Sequence, residues 1–360
     1  MVNKSLLLFL LFLTLPACTL SKRKDPNTAR EIVDMLGNRV TVPKPLERVA
    51  LFSGPTGQIA LILRADKHLC AVTKTFKLSP LVREYFPHIT ALPSPRTVNG
   101  MINIEELVAS RAQLLIAGKV DGELVQRKTS IPVAFFEDSL DEGPEAIIQE
   151  IRFYARIFRA EPRAEAYIRY MKTVETLISS RLKSLEENQK LRVYNGFSPS
   201  HLVTLGGDTF FSKNIERAGC INSASSIKTL GKREGLHSGL GEVSMEQVLA
   251  WNPDIIVVDT GNPEALKADP RWSSLKAVQA GRVYTIPSGF FVWNRPTAEA
   301  AALYPLWLAM TAYPEKFKDL SLPAILKEFY RTVFSVSLRD EQIGMILSGA
   351  YREKMMRNVP

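Results

Sequence analysis

The residues of this chain that could do chemistry are two arginines and a set of aromatics near apolar runs: Arg96 and Arg295, with Phe52, Phe76, Phe197 and Trp293, and Tyr194 at a run's end. A guanidinium grips carboxylate or catecholate oxygens in a fork, while aromatic faces cover apolar parts of the same solute. That combination suits a large, partly aromatic, anionic chelate. A bare metal ion would need three or four converging His, Cys or carboxylate ligands. The four histidines, His68, His88, His201 and His237, form no spaced pair, although one of them could complete the shell of a metal already held in a chelate.

Catalytic signatures are missing. There is no Gly-x-Ser-x-Gly elbow, phosphate loop or His-Glu-x-x-His helix. Apart from Cys18 there are only Cys70 and Cys220, far apart in sequence and read as buried apolar thiols, too few to hold a metal cluster. The formal net charge of +9 is spread along the chain, which favours anionic solutes or an anionic lipid surface. No basic-aromatic nucleic-acid module is present, so DNA and RNA are not expected partners.

Several elements must position these groups. Val49–Phe52, Leu69–Val72, Leu114–Ala117 and Val133–Phe136 read as short buried strands alternating with helical stretches, and Leu191–Tyr194, Ile255–Val258 and Val283–Ile286 repeat the pattern. Between the two sets lies a long amphipathic helical stretch from Pro144 to Glu187. It is interrupted at Glu161-Pro162, so a second helix should start near Pro162 and run to about Glu187. The expected fold is two Rossmann-like α/β lobes, each a mostly parallel sheet with flanking helices, joined by one long rigid helix. Ligands of such sheets sit beyond the carboxyl ends of the strands, where the loops carrying the arginines and aromatics converge.

The lobes also echo one another. Ile104–Ala109 leads into Leu114–Ile116 at the spacing by which Met245–Ala250 leads into Ile255–Val257. Each helix should open with a capping box, Asn103 with Glu106 and Ser244 with Gln247. Glu105 and Glu246 therefore hold equivalent first-turn positions, where an acid also simply favours the positive end of the helix dipole.

The N-terminus carries Lys4, an apolar run from Leu6 to Leu15, and then Pro16-Ala17-Cys18. The run is too short for a membrane span and ends in a small residue before cysteine, which reads as a leader cleaved before a lipid-modified Cys18. The expected organisation is a lipoprotein leader over 1–17, a lipidated tether over 18–30, an N-terminal lobe over 31–143, a helical linker over 144–188 and a C-terminal lobe over 189–360.

Taken in order, several fragments resemble the periplasmic binding proteins of importers for iron-siderophore, haem and cobalamin-type ligands. These are Glu31–Val40 with Pro43 and Arg48-Val49, Gly100–Glu105, Ala218–Asn222, Val243–Gln247 and Trp251–Asp254. The terminal fragments Gly281–Tyr284, Phe291–Thr297, Tyr313–Phe317 and Glu328–Tyr330 resemble a subgroup for iron complexes. The N-lobe copy departs from the family's Pro-Asp before its strand, having Ala112-Gln113.

The resemblance implies a monomeric substrate-binding lipoprotein outside the cytoplasmic membrane, with no catalytic role and no intrinsic cofactor. It would capture a chelated metal, iron first and nickel or cobalt as alternatives, and deliver it to an ABC permease dimer with its ATPase. It further implies that Glu105 and Glu246 dock onto arginines of the permease. Cobalamin, haem or a nickel chelate are alternative cargoes, and a surface receptor or adhesin is the alternative use of the fold.

Overall fold

In the computed structural model, which describes residues 28–55, 57–97, 99–136, 143–229, 239–260 and 263–357, the apolar runs of each half become one parallel sheet. Cys18 and the leader lie outside the described residues. The chain enters through an antiparallel hairpin, β1 (Ala29–Val33) and β2 (Arg39–Pro43), so its first strand begins just inside the stretch expected to be tether. Asp34 shapes the turn by accepting the backbone N–H groups of Leu36 and Asn38 at 3.0 and 2.8 Å.

The N-lobe sheet holds β3 (Val49–Leu51), β4 (Leu69–Val72), β5 (Leu114–Ala117) and β6 (Val133–Phe135) in the order β4-β3-β5-β6, all parallel. Every residue of these strands is buried, which is why they read as unbroken apolar runs with helices on both faces. The C-lobe repeats the design with β7 (Arg192–Gly196), β9 (Ile221–Asn222), β11 (Ile255–Val258) and β12 (Val283–Thr285) in the parallel order β12-β11-β7-β9. An antiparallel pair, β8 (Val203–Leu205) with β10 (Leu240–Glu242), lies apart from that sheet.

Two helices, Pro144–Phe158 and Glu161–Arg181, connect the lobes, with Pro162 in the first turn of the second as its missing N–H requires. The second helix ends six residues before the expected Glu187. Its chain turns out of the helix so that Leu182 and Leu185 pack against the core, and Gly219 makes room for them. A Cβ on Gly219 would come within 2.5 Å of Leu182, and its φ of +73° is left-handed. Ala164, Tyr167, Ile168, Met171, Val174 and Ile178 form the buried stripe, at spacings of three and four.

That stripe packs on the helix Ala298–Ala312, nearly all of which is buried. Pro305 lies inside it and has no N–H to give to the carbonyl of Ala301; Arg217 supplies that hydrogen bond instead, at 2.7 Å.

The link between the lobes is thicker than one helix. The C-terminal segment returns to the N-lobe, where Tyr85 donates to Gln342 at 2.8 Å, Arg339 pairs with Glu84 at 2.8 Å and Arg64 donates to the carbonyl of Phe334. One continuous apolar core accordingly runs from β2 and β3 through both connecting helices to Ile346.

At the centre of this core is Glu299, wholly buried. Its carboxylate accepts the backbone N–H groups of Phe290 and Phe291 at 2.9 and 3.0 Å, the side-chain amide of Gln58 at 2.7 Å and the hydroxyl of Tyr330. Gln58 belongs to the N-lobe helix Gly57–Ile62, so the carboxylate ties the lobes directly. Gly289 passes so close that a Cβ there would fall 1.9 Å from the Tyr330 hydroxyl.

Burial outweighs the four donors and pushes the Glu299 carboxyl from 4.5 up to about 7. Because the folded value is the higher one, the stabilisation from this group is complete below about pH 4.5 and is lost as pH rises through about 7; the shift corresponds to about 3 kcal/mol. Urea unfolding of the wild type from pH 5 to pH 8 should therefore show falling stability, and Glu299→Gln should flatten that slope while costing about 1–3 kcal/mol at the acid end by leaving a donor unpaired. Parallel pH curves for the two proteins would contradict the assignment.

Candidate functional site

The two first-turn glutamates are held by matched local structure. The helices Ile104–Ala109 and Met245–Trp251 run into β5 and β11, and each passes through one left-handed residue at the same offset, Arg111 (φ 53°) and Asn252 (φ 41°). The Ser244 box is complete, since the Ser244 hydroxyl accepts the N–H of Gln247 at 3.2 Å and the Gln247 amide accepts the N–H of Ser244 at 2.8 Å.

The Asn103 box is half built. Asn103 accepts the N–H of Glu106 at 3.0 Å, but the Glu106 carboxylate takes the N–H of Ser94 instead, because the backbone N–H of Asn103 is already bonded to the carbonyl of Pro95.

Gln113 performs the work of Asp254 in the other lobe. It accepts the backbone N–H groups of Glu47 and Arg48, as Asp254 accepts that of Arg192. The missing Pro-Asp in the N-lobe is thus chemically compensated.

Both Glu105 and Glu246 are exposed. The Glu246 carboxyl is held below its usual value by its own backbone N–H and the Ser244 hydroxyl, as expected at a helix start.

The expected ligand-facing residues divide, and four of the aromatics are buried in cores. Phe52 packs in the N-lobe core with Ala50, Leu107 and Leu115, and Phe76 lies against Gly57, where a Cβ would be 2.8 Å from its ring. Tyr194 is buried between Trp251 and Trp272, at 6.1 and 6.2 Å, and donates to the carbonyl of His201 at 2.6 Å. Burial raises its phenol well above the usual value. Trp293 is fully buried in the main core, with its indole N–H unpartnered among the described residues. All four point into cores, where large apolar area gains most from leaving water.

Arg96 is paired with Asp121, so its charge is already met within the lobe. Arg295 remains at the site, its guanidinium carbon 5.5 Å from the centre of the Phe197 ring. Phe197 is itself buried. Beside them Asn294 was not foreseen. It is 2 % exposed, yet neither its amide nitrogen nor its amide oxygen has a partner among the described residues.

Asn294 and Arg295 line a void of about 10 Å³ with Leu205, Thr209, Phe210, Phe211, Gly239 and Pro296. Thr209 caps the helix Phe210–Arg217, accepting the N–H of Ser212 at 3.3 Å, so the positive end of that helix opens at the void. The turn before it, Gly206-Gly207, lies against the backbone carbonyls of Ile227 and Ser225, where a Cβ would come within 2.2 and 2.0 Å. The larger hollow, beside Lys172, Thr176 and Ser180, is only the flank of one helix and gathers no converging groups.

No group of three or more His, Cys, Asp or Glu that could hold a metal occurs among the described residues, and no helix among them is long and apolar enough to cross a membrane. Cys70 and Cys220 are free and buried, and burial pushes the Cys220 thiol up to about 12.

Comparison with known proteins agrees with this architecture. The chain is 25% identical over 353 residues to the molybdate-binding protein MolA of Haemophilus influenzae, spanning 90% of this chain and 97% of that protein. A periplasmic solute binding protein from Veillonella parvula superposes with a TM-score of 0.75 at 25% identity, covering 90% of this chain and 98% of the other. Helicobacter pylori Ceue, solved with Ni(II) bound, gives 0.69 at 19% identity over 88% and 99%, a likeness of fold. The family described as periplasmic binding protein matches residues 89–289, more than half of the chain. The chain therefore belongs to the periplasmic binding protein family and is a solute-binding protein of an ABC transporter rather than an enzyme.

Proposed function

We propose that the solute is a metal-containing anion captured at Arg295 and Asn294. The observation that carries this reading is the buried, unpartnered Asn294 amide, set beside a guanidinium and a helix N-terminus. An unpaired buried amide costs about 1–3 kcal/mol, so a solute that supplies its partners recovers that free energy. The void admits one water as it stands, so a larger guest requires the side chains lining it to move apart.

With Phe52, Phe76, Tyr194 and Trp293 buried in cores, the Asn294 amide and the Arg295 guanidinium, set in an otherwise largely apolar lining, favour a compact anion. Candidates are a metal oxyanion of the kind named for the Haemophilus relative, or a small anionic iron chelate. The second reading is the larger chelate that the sequence suggests, an iron-siderophore with haem, cobalamin or a nickel chelate as variants. It is favoured by the cation–aromatic pair of Arg295 and Phe197.

The remaining parts of the reading follow the family. The chain acts as a monomer, Cys18 carries the lipid that holds it at the membrane, and Glu105 and Glu246 engage the two halves of a permease that works with its ATPase. Two weak rim contacts that are linked reinforce one another through effective concentration.

Calorimetric titration with molybdate, a ferric catecholate and haem tests the site. Arg295→Ala should weaken the best-bound solute by about tenfold or more, and Arg96→Ala by less than about threefold, because Arg96 already has Asp121. Equal losses, or none, would remove Arg295 from the site.

Reversing both Glu105 and Glu246 to lysine should abolish uptake into membrane vesicles with solute affinity unchanged, each single reversal doing less. In the same cells Cys18→Ala should move the folded protein from the membrane to the soluble fraction. Normal uptake by the double reversal, or membrane retention of the Cys18 variant, would count against these roles.

A further inference from the structure

Large apolar side chains seldom stand in water without reason when they recur at matched positions. Six do so among the described residues: Val33, Leu36, Met101, Val108, Val120 and Leu249. Two of them repeat. Val108, 51% exposed, and Leu249, 39% exposed, each lie three residues after a first-turn glutamate, Glu105 and Glu246, in the two helices that the internal echo makes equivalent. A spacing of three puts carboxylate and apolar side chain on the same helical stripe. Both lobes thus present an acid with an exposed apolar neighbour one turn on.

The N-lobe copy is the larger. Met101, 66% exposed, comes just before the capped start of its helix, and Val120, 82% exposed, just before Asp121. Asp121 pairs with Arg96, and Arg96 in turn bridges Ile102, so this internal link draws the segments carrying Met101 and Val120 together at the rim.

We propose that Val108 and Leu249 are the apolar halves of a two-footed docking surface whose occupant is the permease. Each foot is a carboxylate beside an apolar side chain, and each half of the permease offers a cation beside an apolar hollow. The inference rests on the docking role of Glu105 and Glu246 and adds to it the contact that holds once the charges have met.

Three observations favour this occupant. The same pair at the same offset in two lobes suits a partner built of two equivalent halves. The two acids stand exposed, one on each lobe, which makes them complementary to a partner that offers a cation at each of two places. The apolar area is modest and rimmed by charge, as in a contact that must also release. Because the N-lobe foot carries more exposed apolar side chain, it holds the greater share.

The test is the affinity of the full chain for its permease–ATPase complex in lipid nanodiscs, at low and high salt. Val108→Ser with Leu249→Ser should weaken binding by about tenfold at both salt concentrations and leave the salt dependence unchanged, since apolar contact is not screened. Glu105→Gln with Glu246→Gln should weaken binding at low salt and flatten the salt dependence. Val108→Ser alone should cost more than Leu249→Ser alone. Solute affinity and Tm should stay at wild-type values in every variant.

Wild-type affinity of the serine pair, with the glutamine pair impaired, would overturn the apolar feet and leave the glutamate docking intact. Wild-type affinity of both pairs would overturn the docking reading itself. A serine pair that lost affinity only for empty nanodiscs, or only its self-association in sedimentation, would assign the patch to lipid or to a second copy and overturn the proposal.

Discussion

One buried carboxylate fixes the geometry on which the rest depends. Glu299 collects two backbone donors from the turn at Phe290 and Phe291, an amide from the N-lobe residue Gln58 and a hydroxyl from Tyr330 of the returning C-terminal segment. An isolated carboxylate in such a place would be prohibitively costly, and even with four donors burial lifts it to about 7. The donors come from three separate segments, so the group is satisfied only when all three are in register. The loop that continues to Trp293, Asn294 and Arg295 is thereby set relative to the first N-lobe helix before any solute arrives. Gly289 is required at this junction because no side chain fits between Tyr330 and Glu299.

That fixed frame explains why the candidate site is small. Phe52, Phe76, Tyr194 and Trp293 are consumed by the cores, and the polar groups at the void are the Asn294 amide, the Arg295 guanidinium and the start of a helix, beside Leu205, Phe210, Phe211 and Pro296. The Asn294 amide, buried and without a partner among the described residues, selects a solute able to complete its hydrogen bonds. The same rigidity bears on delivery. Connecting helices, a continuous core and the C-terminal return to Tyr85 and Glu84 resist large hinge motion, so Glu105 and Glu246 stay at a nearly constant separation.

Much of this was legible in the sequence, for reasons that are physical. Strands buried on both faces must be continuous apolar runs, and Leu69–Val72, Leu114–Ala117 and Ile255–Val258 match the expected bounds. The Ser244 box formed because its partners are local. The Asn103 box formed only in part, since the carbonyl of Pro95 took the Asn103 N–H and the loop residue Ser94 took the Glu106 carboxylate.

The sequence placed Phe52, Phe76, Tyr194 and Trp293 near apolar runs without telling which way they face, and the larger apolar gain lies inward. Glu299, within a run of alanines, reads as an ordinary helix position, and its importance lies in contacts to Gln58 and Tyr330 that no local pattern encodes. Asn294 lay within the fragment that carried the family resemblance, but an unpartnered amide is visible only once its neighbours are placed.

Native mass spectrometry of the protein recovered from its own host, with absorbance and metal analysis of the released solute, tests the central claim most directly. The account predicts one metal-containing anion per chain, retained by the wild type and lost from Arg295→Ala. A neutral, metal-free solute held equally by both proteins would contradict it.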